Sequence, residues 1–132
     1  MKTFVHIFVV LFVLFLAVPA QAAEPVKVDV LYMNHGPLRS TLNNLRTVFA
    51  KYESKITVTW HDFESTDGQK FMKSMGINDH VPLIVWINGK YTHNMNGSET
   101  SFRGFPSGAG PAMFQGAWDM NMLDKALEQA TR

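Results

Sequence analysis

The order of apolar patterns along this chain predicts an α/β fold, a central mixed β-sheet flanked by helices, with an extended loop before the C-terminal helix. Three observations predict it. Residues 26 to 76 alternate strand-like and helix-like apolar spacing twice over, the signature of βαβα. A continuous apolar run, Val81 to Ile87, then ends at Asn88-Gly89, the strongest short hairpin signal. Last, Trp118, Met122, Ala126, Leu127 and Ala130 mark the apolar face of a terminal helix. With 132 residues, 46% hydrophobic and 17% charged, there is room for one globular domain and not for two.

Each element has its own justification. Val26 to Tyr32 is β-branched and aliphatic apart from Lys27 and Asp29, which predicts a mostly buried strand. Asn34-His35-Gly36-Pro37 breaks it, and Pro37 suits a first helical turn, where its missing N–H costs nothing. Leu38, Leu42, Leu45, Phe49 and Tyr52 then recur at spacings of four, three, four and three, one face of a helix reaching about Glu53. Ile56 to Trp60 alternates as a second strand. Ser65-Thr66-Asp67 offers cap side chains, with Gln69 in the capping-box position after Thr66, and a short helix runs through Phe71, Met72 and Met75 to Gly76. After the apolar run and its turn, Lys90 to His93 is expected to return antiparallel. Residues 94 to 117 carry many Gly and Pro residues and predict an irregular segment. Trp60 and Trp86, in strands, are expected in the core.

The first 22 positions stand apart, since 17 of them are hydrophobic. A basic start at Lys2, the uninterrupted apolar run Ile7 to Val18, and Pro19-Ala20-Gln21-Ala22 make up a signal peptide cleaved after Ala22. The run is short for a span, which takes about 20 residues; extended back through Phe4 and Val5 it would make a short anchor. The expected organisation is therefore a leader at 1–22 and one domain at 23–132, periplasmic or secreted, with no stable membrane association once the leader is removed. Only Lys2 of the twelve Lys and Arg lies in the leader, so eleven face eleven Asp and Glu in the body. A formally neutral body lacks the positive field that nucleic acid selects.

The sequence contains no cysteine. Thiol nucleophiles, disulfide exchange and thiolate metal sites are thereby excluded. No Gly-x-Ser-x-Gly or His-Glu-x-x-His motif appears, and no other catalytic constellation stands out.

The order of elements resembles that of the thioredoxin-like superfamily, and local details support the resemblance. Asp29 lies six positions before His35, as the family's strand aspartate precedes the first cysteine of its Trp-Cys-Gly-Pro-Cys turn, and Asn34-His35-Gly36-Pro37-Leu38 keeps the Gly-Pro centre without either cysteine. Val81-Pro82 resembles the family's approach to its cis-proline. The resemblance covers roughly residues 26 to 93 and the last helix; residues 94 to 117 have no counterpart in it. It implies that His35 stands for the attacking thiol and Leu38 for the resolving one, and that the loops holding His35 and His80 meet. Asp29 then has no thiol to serve. It is either a retained buried acid or a strand carboxylate paired or solvated at a sheet edge.

His35 is either an available imidazole beside a binding loop or the filler of a turn whose use is gone. With the leader read as an export signal, the resemblance implies a redox-inactive domain that binds a protein or an extended peptide through His35, Gly36, Pro37, Val81 and Pro82. Long loops carrying aromatic residues in a small domain mark contact surfaces, which adds Phe102 and Phe105, with Phe114 nearby. No cofactor is expected on this reading. The alternative is a copper or other soft-metal carrier using His61, Met72, His93 and Met95, since imidazole and thioether suit Cu(I). Their spacing resembles that of a periplasmic copper-chaperone family, which has one residue more in the second gap and an all-β fold. His35 with His80 forms a second, incomplete metal candidate that needs a third ligand such as Asp79.

Overall fold

The structure, a computed structural model, describes residues 22–132. The expected leader therefore lies outside the described residues except for Ala22. Strand β1 (Val26–Tyr32) is the centre of a three-stranded mixed sheet of order β2-β1-β3. It pairs in parallel with β2 (Ile56–Asp62), from Val26 opposite Ile56 to Tyr32 opposite Asp62. On its other side it runs antiparallel to β3 (Leu83–Ile87), with Tyr32 opposite Leu83 and Val28 opposite Ile87. A parallel pair needs a crossover, and helix α1 (Arg39–Ala50) supplies it.

The period-2 alternation of the strands sorts their side chains into two cores. Val28 and Val30 of β1 with Leu83, Val85 and Ile87 of β3 face α1 and the terminal helix α3 (Met120–Ala130), meeting Leu42, Leu45 and Phe49 from one and Leu123 and Leu127 from the other. Leu31, Ile84 and Trp86 point the opposite way, onto Met72 of α2 (Thr66–Ser74) and onto Ile77 and Val81. Helices thus cover both faces of the sheet. Each fully buried aliphatic side chain contributes roughly 1.5–3 kcal/mol, so the first core carries most of the stabilisation.

Helix ends follow the local chemistry. Pro37 opens a 3-10 turn (Gly36–Leu38) that leads into α1, and the Leu38 N–H donates to the His35 carbonyl. The helix ends at Ala50, short of the expected Glu53, because the chain turns again at Glu53–Lys55 before β2. The Tyr52 hydroxyl reaches across to α3, 2.6 Å from the Asp124 carbonyl and 2.7 Å from its carboxylate, and Lys51 Nζ lies 2.9 Å from the same carboxylate. Lys51, then Tyr52, hold the Asp124 carboxyl below the usual range, while burial and then Asp124 push the Tyr52 phenol above its own. At α2 the cap is Ser65, whose Oγ accepts from the Gly68 N–H at 2.9 Å. The expected box was one residue later; Gln69 bonds the Phe63 carbonyl instead.

Three expectations about the second half need correction. Asn88 and Gly89 do form a positive-φ turn (φ 50° and 78°), the conformation that a two-residue hairpin demands. Its return arm, however, pairs with β3 only through Lys90 opposite Ile87. The chain then forms a separate hairpin, β4 (Thr92–Met95) with β5 (Ser98–Ser101), turning at Asn96 and Gly97 (φ 54° and 83°). The vacated edge of β3 is filled by residues 102–104, since the Val85 N–H donates to the Phe102 carbonyl and the Gly104 N–H to that of Leu83. Residues 94–117 are therefore only partly irregular. Finally, no peptide among the described residues is cis, so Val81-Pro82 is trans, the form an X-Pro bond prefers by about 0.5–1 kcal/mol. The Pro82 carbonyl accepts from the Met33 N–H at 3.0 Å, which extends the β1–β3 ladder outward by one bond.

Candidate functional site

Antiparallel pairing of Tyr32 with Leu83 sets the end of β1 beside the start of β3. The chain leaving one strand and the chain entering the other must therefore lie side by side. Between them and the glycine-rich loop opens an apolar well of about 220 Å³, lined by Met33, His35, Pro37, Leu38, His80, Pro82, Phe105, Pro111 and Phe114. Pockets for whole ligands run about 300–1,000 Å³, and this one is smaller, with room for a single large side chain. Its floor is fixed by buried Met33, Leu38 and Phe105. Its rim is open: His35, Pro37, His80 and Phe114 are exposed. Met113, next to the rim, is 82% exposed, the most exposed large apolar side chain among the described residues.

The glycine-rich loop is built to hold this shape. Gly104 has φ 81°, and a Cβ there would run into the Phe114 carbonyl, so only glycine lets the two arms of the loop meet. The Phe105 N–H then donates to the Phe114 carbonyl and the Gly116 N–H to that of Phe105, both bonds under 3 Å. The Gln115 side chain bridges the tip, accepting from the Gly108 N–H and donating to the Gly110 carbonyl. Trp118, wholly buried, anchors the base through its indole N–H to the Gly104 carbonyl.

The structure thus brings His35, Pro37, Pro82 and Phe105 together, with His80 and Phe114, and Gly36 is exposed in the adjoining turn. Two expected surface residues do not line the well, although Val81 lines the depression beside it. Val81 is buried in the α2-side core. Phe102 is wholly buried, its ring edge-on to Trp118 at 5.5 Å, because pairing with β3 turns it toward the α1 and α3 side. Met33 is a wall that no sequence motif marks; its place just beyond the end of β1 is the signal that points to it.

The two rim histidines have little to hold them. His35 Nε2 lies 3.6 Å from Glu64 Oε1 with both side chains more than half exposed, and His80 meets the edge of Phe63 at 5.4 Å.

His61 is different. Its Nε2 lies 2.8 Å from Asp29 Oδ1, and its ring stacks on Phe71 at 3.6 Å. Asp29 is 3% exposed on the central strand, with Lys27 Nζ 3.5 Å from its other oxygen. Of the two readings of Asp29, the structure gives a buried acid that is also paired, away from any sheet edge. No sequence motif marked this pair, which is 32 residues apart and is joined only by the register of β1 and β2.

The four soft-metal candidates are not gathered. Met72 is buried in the α2-side core, His61 is bound to Asp29, and His93 Nε2 donates to the Lys90 carbonyl at 2.8 Å. Met95 packs against the other core. Among the described residues no group of three or more His, Asp or Glu is placed to hold a metal ion. Compared with known proteins, the chain matches no family model and no curated relative.

Proposed function

We propose that this protein is an exported, redox-inactive thioredoxin-like domain that binds a protein or an extended peptide at the apolar well. The carrying observation is the convergence on one 220 Å³ well of the turn after β1, the approach to β3 and the glycine-rich loop. The sheet order β2-β1-β3 with β1 and β2 parallel, β3 antiparallel and helices on both faces supports the thioredoxin-like reading. So do His35-Gly36-Pro37 in the turn that leads into the first helix; Pro82, just before β3, lacks the family's cis bond. The sequence supplies no thiol, and what the site offers is an apolar recess with imidazoles at its rim. An apolar side chain of the partner fills the recess and excludes water, while His35 and His80 bond its backbone. Export is read from the leader: N-terminal sequencing of the secreted or periplasmic chain should begin at Ala23.

The binding reading is tested by recovering partners on the immobilised protein and on three variants. A specific partner should be lost with His35→Ala and with Phe114→Ala and kept with Thr57→Ala, on the outer strand. Retention by all three variants overturns the proposal.

A further inference from the structure

Resting on that reading of the well, the geometry points to a basic occupant: an extended segment with an apolar side chain in the well and a lysine or arginine two residues along. A second depression of about 480 Å³ shares His80, Pro82 and Phe114 with the well, so the two form one continuous groove. Its character is different. Asp79, Glu99, Ser101 and Arg103 line it, and Arg103 is paired to Asp79. That leaves Glu99, exposed on β5, with no ion-pair partner among the described residues. Glu64, 3.6 Å from the His35 imidazole, lines neither depression and lies instead along a third one with Lys70 and Lys73, so the charge of the groove rests on Glu99. Arg39, next in sequence to the well residue Leu38, lines neither depression. The groove therefore joins an apolar hole to a surface with uncompensated negative charge, and complementarity requires a cation beside the apolar anchor. In an extended segment residues i and i+2 share a face, about 6–7 Å apart, which fits adjoining depressions.

The experiment titrates 15N-labelled protein with three capped pentapeptides whose central residues are Phe-Ala-Lys, Phe-Ala-Glu and Ala-Ala-Lys. The Phe-Ala-Lys peptide should shift the amides of Leu38 and Gly104 and bind about tenfold more tightly than Phe-Ala-Glu at low salt, as exchanging an exposed attraction to Glu99 for a repulsion allows. The gap should close at about 0.5 M salt, where exposed charges are screened. Glu99→Lys, a surface change on a hairpin, should remove or reverse the preference. Equal affinity of the two Phe peptides overturns the basic occupant while leaving the well as a binding surface. Equal binding of Ala-Ala-Lys and Phe-Ala-Lys overturns the apolar anchor. No perturbation by any peptide overturns this proposal and the parent reading together.

Discussion

His61 and His35 are the same residue type in opposite circumstances. His61 sits against a carboxylate that is almost wholly buried, and Phe71 covers its ring. Both oxygens of the carboxylate have a partner, and the surrounding core is aromatic: Phe71 meets Trp86 edge-on at 5.3 Å, and Trp86 meets Tyr91 at 6.0 Å. His35 stands at a rim with only the exposed Glu64 carboxylate 3.6 Å away, above a hole walled by apolar side chains. The difference teaches which histidine is available. A half-buried, partnered imidazole ties β1 to β2, and an exposed one beside an apolar recess is the one that the proposed binding uses.

The comparison breaks most sharply at His61. Replacing His61 by Ala leaves the Asp29 carboxylate buried with only Lys27 near it, and removes the ring stacked on Phe71. Urea unfolding should show a loss of about 3 kcal/mol, the cost of leaving a buried carboxylate short of a hydrogen-bond partner. Gly104→Ala comes next, at about 2 kcal/mol, because it forces a side chain into positive φ against the Phe114 carbonyl. That variant should also lose binding at the well, since the loop arms can no longer meet.

Asp124→Asn should cost about 1 kcal/mol at neutral pH by weakening the bonds from Tyr52 and Lys51 that tie α1 to α3. The sign of its pH dependence follows from a lowered carboxyl pKa. The contribution is fully present above the unfolded carboxylate value and is lost as pH falls through the folded one. The gap between wild type and Asp124→Asn should therefore narrow in acid, as read from unfolding midpoints across that range. Smallest is His35→Ala, which should leave stability within about 0.5 kcal/mol while abolishing partner binding. Binding loss without stability loss at His35, and the reverse at His61, is the sharpest form of the contrast.

Much of the scaffold was legible because β1, α1, β2, α2, β3 and α3 each carry an apolar periodicity of their own. Leu42, Leu45 and Phe49 announced the face of α1, and the buried row Leu83 to Ile87 announced β3. The hairpin of β4 and β5 carried no such pattern: Thr92–Met95 and Ser98–Ser101 are short and mostly polar. Its one signal, Asn96-Gly97, repeats the dipeptide that marked Asn88-Gly89. Phe102 was misread for the same reason, since local pattern does not show that its strand fills the edge of β3. Of the site, His35, Pro37, Pro82 and Phe105 were legible from the turn and loop chemistry. The Asp29–His61 pair was not, because it exists only through the pairing of two strands.

The most direct test of the well as the binding surface is a photo-crosslinker in the living cell, placed at Phe114 on the rim and, in a second strain, at Thr57 on the exposed outer strand. A discrete adduct from position 114, absent from position 57 and lost when His35→Ala is added, is the predicted result. Adducts of equal yield from both positions, or an adduct at 114 that His35→Ala leaves unchanged, would contradict it.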